Sequence, residues 1–261
     1  MRKYLKARAM ATALVALIPG LVQAEIVSEA VSYSHEGESF EGYAAYNEAF
    51  GSDQPTVIII HDWDGLGDYE KARAEMLARQ GYAAFAIDLF GEGVRPERIE
   101  RRRELTNALY ADRERMRALM DAGLSAADGE AAMDTDAAVA IGYCFGGAAV
   151  LELARSGATM EGFVSFHGGL NTPDGQDYTQ VQSPLLILHG SNDQVAPMSD
   201  VAALSSRLDQ DGADYRMEIY GGARHAFTDW EATERYDADA DLQSWQTMMD
   251  FLGQALSQPN S

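Results

Sequence analysis

The chain is expected to fold as an α/β protein, with a mostly parallel sheet covered by helices on both faces and an N-terminal antiparallel hairpin. Three observations predict this. Short continuous apolar runs at residues 56–61, 82–89 and 137–141 have the composition of strands buried on both faces. They alternate with longer stretches of helical spacing, which is how a parallel sheet is covered. Ahead of them, residues 26–33 and 40–46 alternate apolar and polar side chains around His35-Glu36-Gly37-Glu38, the pattern of a hairpin.

In chain order, residues 1–24 come before the fold. Arg2, Lys3, Lys6 and Arg8 form a basic start, residues 9–22 are apolar but short for a bilayer span, and Leu21-Val22-Gln23-Ala24 offers a cleavage site. A secretory signal peptide ending at Ala24 is expected, which leaves one domain over residues 25–261 in the periplasm or outside the cell. An uncleaved anchor is the competing reading. Pro55 bounds the 56–61 strand. Asp68 is placed to cap a helix that runs to Gln80 and ends at Gly81. After the 82–89 strand, residues 97–120 suggest one long charged helix, continued less regularly through 123–136. A strand at 137–141 and a helix at 148–154 follow. Strands at 163–167, 185–189 and 215–220 then alternate with helices at 198–208 and 238–256. No repeat, linker or low-complexity tract interrupts this order.

The 261 residues suit one α/β domain, and 46% hydrophobic residues can fill its core. The formal charge of −21 becomes −25 once the four basic leader residues are removed. That charge argues against nucleic acid and anionic membrane surfaces as partners. A small-molecule substrate, a monomer and no membrane contact after cleavage are expected. Cys144 is the only cysteine. Exported proteins use cysteines mostly in pairs, so an unpaired thiol leans toward chemistry.

That cysteine lies in Gly142-Tyr143-Cys144-Phe145-Gly146-Gly147, between an apolar strand and a helical stretch. Strand, sharp turn and helix are the context of a nucleophile elbow, and the flanking glycines allow the turn to close. A lone cysteine after a strand is also commonly an inert small hydrophobe, so the case depends on partners. Asp193 follows a strand, in Ser191-Asn192-Asp193-Gln194-Val195-Ala196-Pro197; its other use would be to cap the next helix. His225 follows another strand, in Gly221-Gly222-Ala223-Arg224-His225-Ala226-Phe227. Nucleophile, acid and histidine in this order is the order of α/β-hydrolases. Cys144 would attack an acyl carbon, His225 would carry its proton, and Asp193 would fix the imidazole tautomer. His61, His167 and His189 fall at strand ends without metal-ligand spacing, so neither metal nor cofactor is expected.

These motifs resemble the dienelactone hydrolase family over nearly the whole mature chain. The segment His61-Asp62-Trp63-Asp64-Gly65-Leu66 is similar to that family's loop after the third strand. The resemblance implies that Asp62, where the family usually has Glu, contacts the resting thiol. It also implies that the backbone N–H groups of Trp63 and Phe145 form the oxyanion hole. Arg103, followed by Glu104 and Leu109-Tyr110, resembles one of two arginines that hold a substrate carboxylate, although Arg101 and Arg102 beside it also suit a solvated helix face. Asp229 stands where the second arginine is expected. The implied activity is hydrolysis of an ester or lactone through an acyl-enzyme, carboxymethylenebutenolidase-like, with neutral substrates favoured. A thioesterase or broad carboxylesterase, and an inactive hydrolase-fold binding protein, are the other readings.

Overall fold

A computed structural model of the protein describes residues 26–256. The expected signal peptide lies outside the described residues. Eight strands form one sheet in the order β1-β2-β4-β3-β5-β6-β7-β8. β1 (Ile26–His35) and β2 (Glu38–Asn47) make the antiparallel hairpin, turning at Glu36 and Gly37, both at positive φ. β2 pairs antiparallel with β4 (Ala83–Ile87). From there the pairing is parallel through β3 (Gln54–Ile60), β5 (Met133–Tyr143), β6 (Gly162–Phe166), β7 (Leu185–Gly190) and β8 (Tyr215–Tyr220).

Continuous apolar strands bury both faces because successive side chains alternate across the sheet. Ile58, Ile60, Phe85, Ala140 and Ile187 point to one side. There they meet α2 (Ile99–Ala111), α3 (Arg113–Asp128), α4 (Phe145–Arg155) and α5 (Met198–Asp211). Val57, Ile59, Ala84, Ile141 and Leu188 point to the other, against α1 (Asp68–Arg79) and α6 (Ala238–Ala255). No helix among the described residues is long and apolar enough to cross a membrane.

Two local expectations need correction. The charged stretch from residue 97 forms two helices, not one. The chain breaks at Asp112, whose carboxylate accepts the Arg115 N–H at 2.9 Å and caps α3. α3 then runs through Gly123 to Asp128. A Cβ at Gly123 would lie 2.5 Å from Ile87, so this glycine lets the helix press onto β4 and does not end it. At α1, Asp68 is the first helical residue. Gly67 occupies the N-cap, and its N–H is taken by Glu70 at 2.8 Å.

The turn from β5 into α4 occupies the middle of the sheet and allows little room. A Cβ on Gly146 would fall 2.0 Å from the Ile60 carbonyl oxygen, and one on Gly142 would fall 2.2 Å from the Gly146 oxygen. Both neighbours are backbone and cannot rotate away. Gly146→Ala is therefore expected to lower the unfolding free energy by about 3 kcal/mol or more. Urea denaturation would show this as a lower midpoint. A change within about 0.5 kcal/mol would show that α4 and β3 have room to separate.

Candidate active site

Cys144 joins β5 to α4 with φ 52° and ψ −110°. This is strained backbone for a residue with a side chain, of the order of 1–3 kcal/mol, and it persists only where the surroundings fix it. The Cys144 N–H is held by the Phe166 carbonyl at 3.0 Å and by His167 Nδ1 at 3.2 Å. The turn lifts the thiol off the carboxyl end of the sheet, where ligands of open parallel sheets bind. The side chain remains partly exposed.

Asp193 follows β7. Its Oδ1 accepts the N–H groups of Val195 at 2.8 Å and Ala196 at 3.0 Å. It does not cap α5, whose N-cap is Pro197. Its Oδ2 lies 2.8 Å from His225 Nδ1, and His225 Nε2 lies 3.0 Å from Cys144 Sγ. Cys144, His225 and Asp193 thus form one hydrogen-bonded line. With Nδ1–H directed at the carboxylate, Nε2 is left as an acceptor facing the thiol. Burial alone would raise the Asp193 pKa, but the His225 contact and the two backbone donors outweigh it and hold the carboxyl below its usual range. The thiol is shifted the other way: desolvation and the nearby Asp62 carboxyl push it well up.

The loop after β3 carries Asp62 and Trp63. Asp62 Oδ1 accepts the Asp64 N–H at 2.9 Å, whereas Sγ is partnered by His225 Nε2 and the Phe145 N–H. The structure therefore brings Asp62 within electrostatic range of the thiol without joining carboxyl to sulfur. Burial, then Asp64 and Glu70, push Asp62 well above the ordinary carboxylate range. Glu70 lies beneath the same loop, accepts the Gly67 N–H, and is pushed up to about 7 by burial. Trp63 follows Asp62 at the loop's centre. Phe145 is the first residue of α4, where helix N–H groups lack intrahelical partners.

The expected substrate arm is placed differently. Arg103 lies on the exposed side of α2. Its neighbour Arg102 turns inward, with its guanidinium 5.4 Å from the Trp63 ring centroid, Nη2 3.4 Å from Asp64 and Nε donating to Pro96 at 2.7 Å. The stripe of Arg102, Thr106 and Leu109 at helical spacing could have identified the inward residue. Asp229 is half-buried, and its Oδ1 accepts the Glu231 N–H at 2.9 Å in a local turn. Tyr110, whose ring packs against Phe145 at 5.4 Å, and the buried His167 were not singled out by sequence reasoning as site residues. His61 and His189 are engaged with backbone. His61 Nε2 accepts the Leu89 N–H at 3.1 Å, and His189 Nε2 lies 2.8 Å from the Ala196 oxygen.

Known proteins share this fold and much of this sequence. A crystal structure of a dienelactone hydrolase-like promiscuous phosphotriesterase, P91 from metagenomic libraries, superposes with a TM-score of 0.83 at 31% identity; the match covers 88% of this chain and 98% of that one. A structure named m3DLH superposes with a TM-score of 0.85 at 32% identity, covering 89% and 99%. A Synechocystis sp. protein that carries a provisional carboxymethylenebutenolidase name is 27% identical over 238 residues, 85% of this chain and 94% of its own. The profile of the dienelactone hydrolase family matches residues 40–256, and the chain belongs to that family.

Proposed function

We propose that the protein hydrolyses ester or lactone bonds through a covalent acyl-cysteine intermediate. The observation that carries this reading is the line Asp193–His225–Cys144, with contacts of 2.8 and 3.0 Å, at a strained strand-to-helix elbow. In the first half-reaction Sγ bonds to the acyl carbon while its proton passes to His225 Nε2. The carbonyl electrons move onto oxygen, where the N–H groups of Trp63 and Phe145 would receive them. Collapse breaks the carbon–oxygen bond, and His225 returns the proton to the departing alkoxide. Water then attacks the thioester, with His225 taking its proton, and the carbon–sulfur bond breaks to restore the thiol.

A protonated thiol at rest suits this sequence. Desolvation and the nearby Asp62 shift Cys144 above its usual range, which favours the thiol over the thiolate, and His225 Nε2 lies within reach of its proton. Asp62 is positioned to modulate that balance through space. Protonated, as its raised pKa favours, it would oppose thiolate formation less than a carboxylate would.

p-Nitrophenyl acetate provides the first test. The mature protein is expected to release a burst of p-nitrophenol that matches its Cys144 content. Cys144→Ala should lower kcat by about 10³-fold or more, and His225→Ala with Cys144→Ala should be little worse than either alone. Near-normal activity without the thiol would leave a binding protein on a hydrolase fold, and multiplicative losses would place His225 outside the reaction.

Substrate charge provides the second test. Arg102 on α2 faces the Trp63 loop and Arg235 acts on the thiol through space, but an acid occupies position 229 in place of a second clamp arginine. Neutral esters and lactones should be turned over with kcat/KM at least about tenfold above a carboxylate-bearing dienelactone, equivalent to about 1.4 kcal/mol. Neutral phosphotriesters belong in the same comparison, because P91, the structurally similar protein, is named for that activity. Asp229→Arg should raise the carboxylate substrate alone. An equal effect on both substrates would show that Asp229 serves only its turn with Glu231.

Export, with a mature N-terminus at Glu25, completes the proposal. Intact mass of protein from its native host is expected to lack residues 1–24. A mass that includes them would mean an anchored or cytoplasmic protein.

A further inference from the structure

His167 is a buried histidine that the reaction above does not use, yet it touches both members of the Cys144–His225 pair. It is 1% exposed and follows directly on β6 with φ 39°, a region that His and Asn enter more readily than most residues. Its Nδ1 faces the Cys144 N–H at 3.2 Å, and its Nε2 lies 2.8 Å from Thr228 Oγ1. Nδ1 meets a donor, so it carries the lone pair and Nε2 carries the hydrogen. Only the neutral imidazole can make both contacts. Burial pushes its pKa well below the usual range, and the neighbouring His225, His189 and Arg73 act in the same direction.

The second contact reaches the loop that carries His225. Thr228 lies three residues beyond His225. Its Oγ1 accepts the Tyr69 hydroxyl at 2.8 Å, and its carbonyl accepts Arg73 Nη2 at 3.1 Å. Arg73 is anchored in turn by Asp241 at 2.5 Å and lies 4.7 Å from Trp230 and 5.0 Å from Trp245. The His167 ring also meets the His225 ring edge-on at 5.4 Å. A side chain that only filled space would not need a donor and an acceptor on opposite sides, each directed at a different catalytic loop.

We propose that His167 is a positioning residue: it ties the backbone of Cys144 to the His225 loop through Thr228 and so fixes the separation of Sγ from Nε2. The proposal rests on Cys144 and His225 being the reacting pair, and the test separates the two ideas. Cys144 is the sole thiol, so its alkylation by iodoacetamide against pH reports the pair without any substrate. His225→Ala should lower the alkylation rate near neutral pH by roughly 100-fold or more, leaving only the alkaline rise of a bare thiol. His167→Ala should lose at least about tenfold and move toward the same alkaline profile, since a displacement near 1 Å can cost about 100-fold. His167→Asn should recover most of the rate, because its Oδ1 can take the Cys144 N–H and Asn accepts this backbone. Thr228→Val should show a smaller loss that does not add to that of His167→Ala.

If His167→Ala lowers the melting temperature while its alkylation profile overlays the wild type, positioning is refuted. Should that variant fail to fold, an unchanged profile in Thr228→Val refutes it equally. A wild-type profile in His225→Ala overturns the pair itself, and this proposal with it.

Discussion

The arrangement depends first on how closely the start of α4 approaches the end of β3. A helix that follows a strand in this fold must begin at the sheet's carboxyl edge, and here its first turn touches the backbone of the neighbouring strand. Gly146 makes that contact possible, with no atom to place in the 2.0 Å between a Cβ and the Ile60 oxygen. The turn then has too little length for an extended residue at 144, and Cys144 takes a positive φ. Strain in the elbow and exposure of the thiol follow from the same packing. The hydrogen bonds of the Cys144 N–H to Phe166 and His167 secure the conformation from the β6 side.

A second layer holds the loops that face the thiol. Four aromatic rings lie around Arg73, and its guanidinium serves Asp241, Tyr69 and the Thr228 carbonyl. A cation buried to 2% exposure is tolerable only with such partners. These contacts join α1 to the loop after β8 and to α6, at partners 155 and 168 residues further along the chain. They make the position of His225 a property of the whole back face of the sheet and not of its loop alone.

Much of this was legible in the sequence, and the failures have physical reasons. Strands buried on both faces announce themselves as apolar runs, and β8 was delimited to the residue at 215–220 because Asp214 and Gly221 bound it. The three residues of the hydrogen-bonded line could be found because each follows its own strand. Register on an exposed, charged helix was not legible: Arg101, Arg102 and Arg103 are chemically alike, and only packing against Trp63 distinguishes the middle one. The break between α2 and α3 was hidden because Asp112 also suits a charged helix, and its capping bond appears only in three dimensions. His167 was missed because a histidine at a strand end carries no local pattern. Its importance comes from Thr228, 61 residues away.

The electrostatics of the carboxylates near the thiol give the assignment of roles its physical basis. Asp62 and Glu70 are buried at the same loop, where desolvation outweighs the N–H groups they accept, and both are shifted toward the protonated form. Asp193 is also buried, but beside its two backbone N–H donors it faces the His225 imidazole, and it is shifted toward the ionised form. Acids of nearly equal intrinsic strength are thus driven apart by their surroundings, which is how one site obtains different functions from like groups. The ionised one is the one directed at His225. In the proposed reaction it can stabilise an imidazolium when the thiol gives up its proton, while Asp62, in electrostatic range of the sulfur, is shifted toward the form that resists that transfer least.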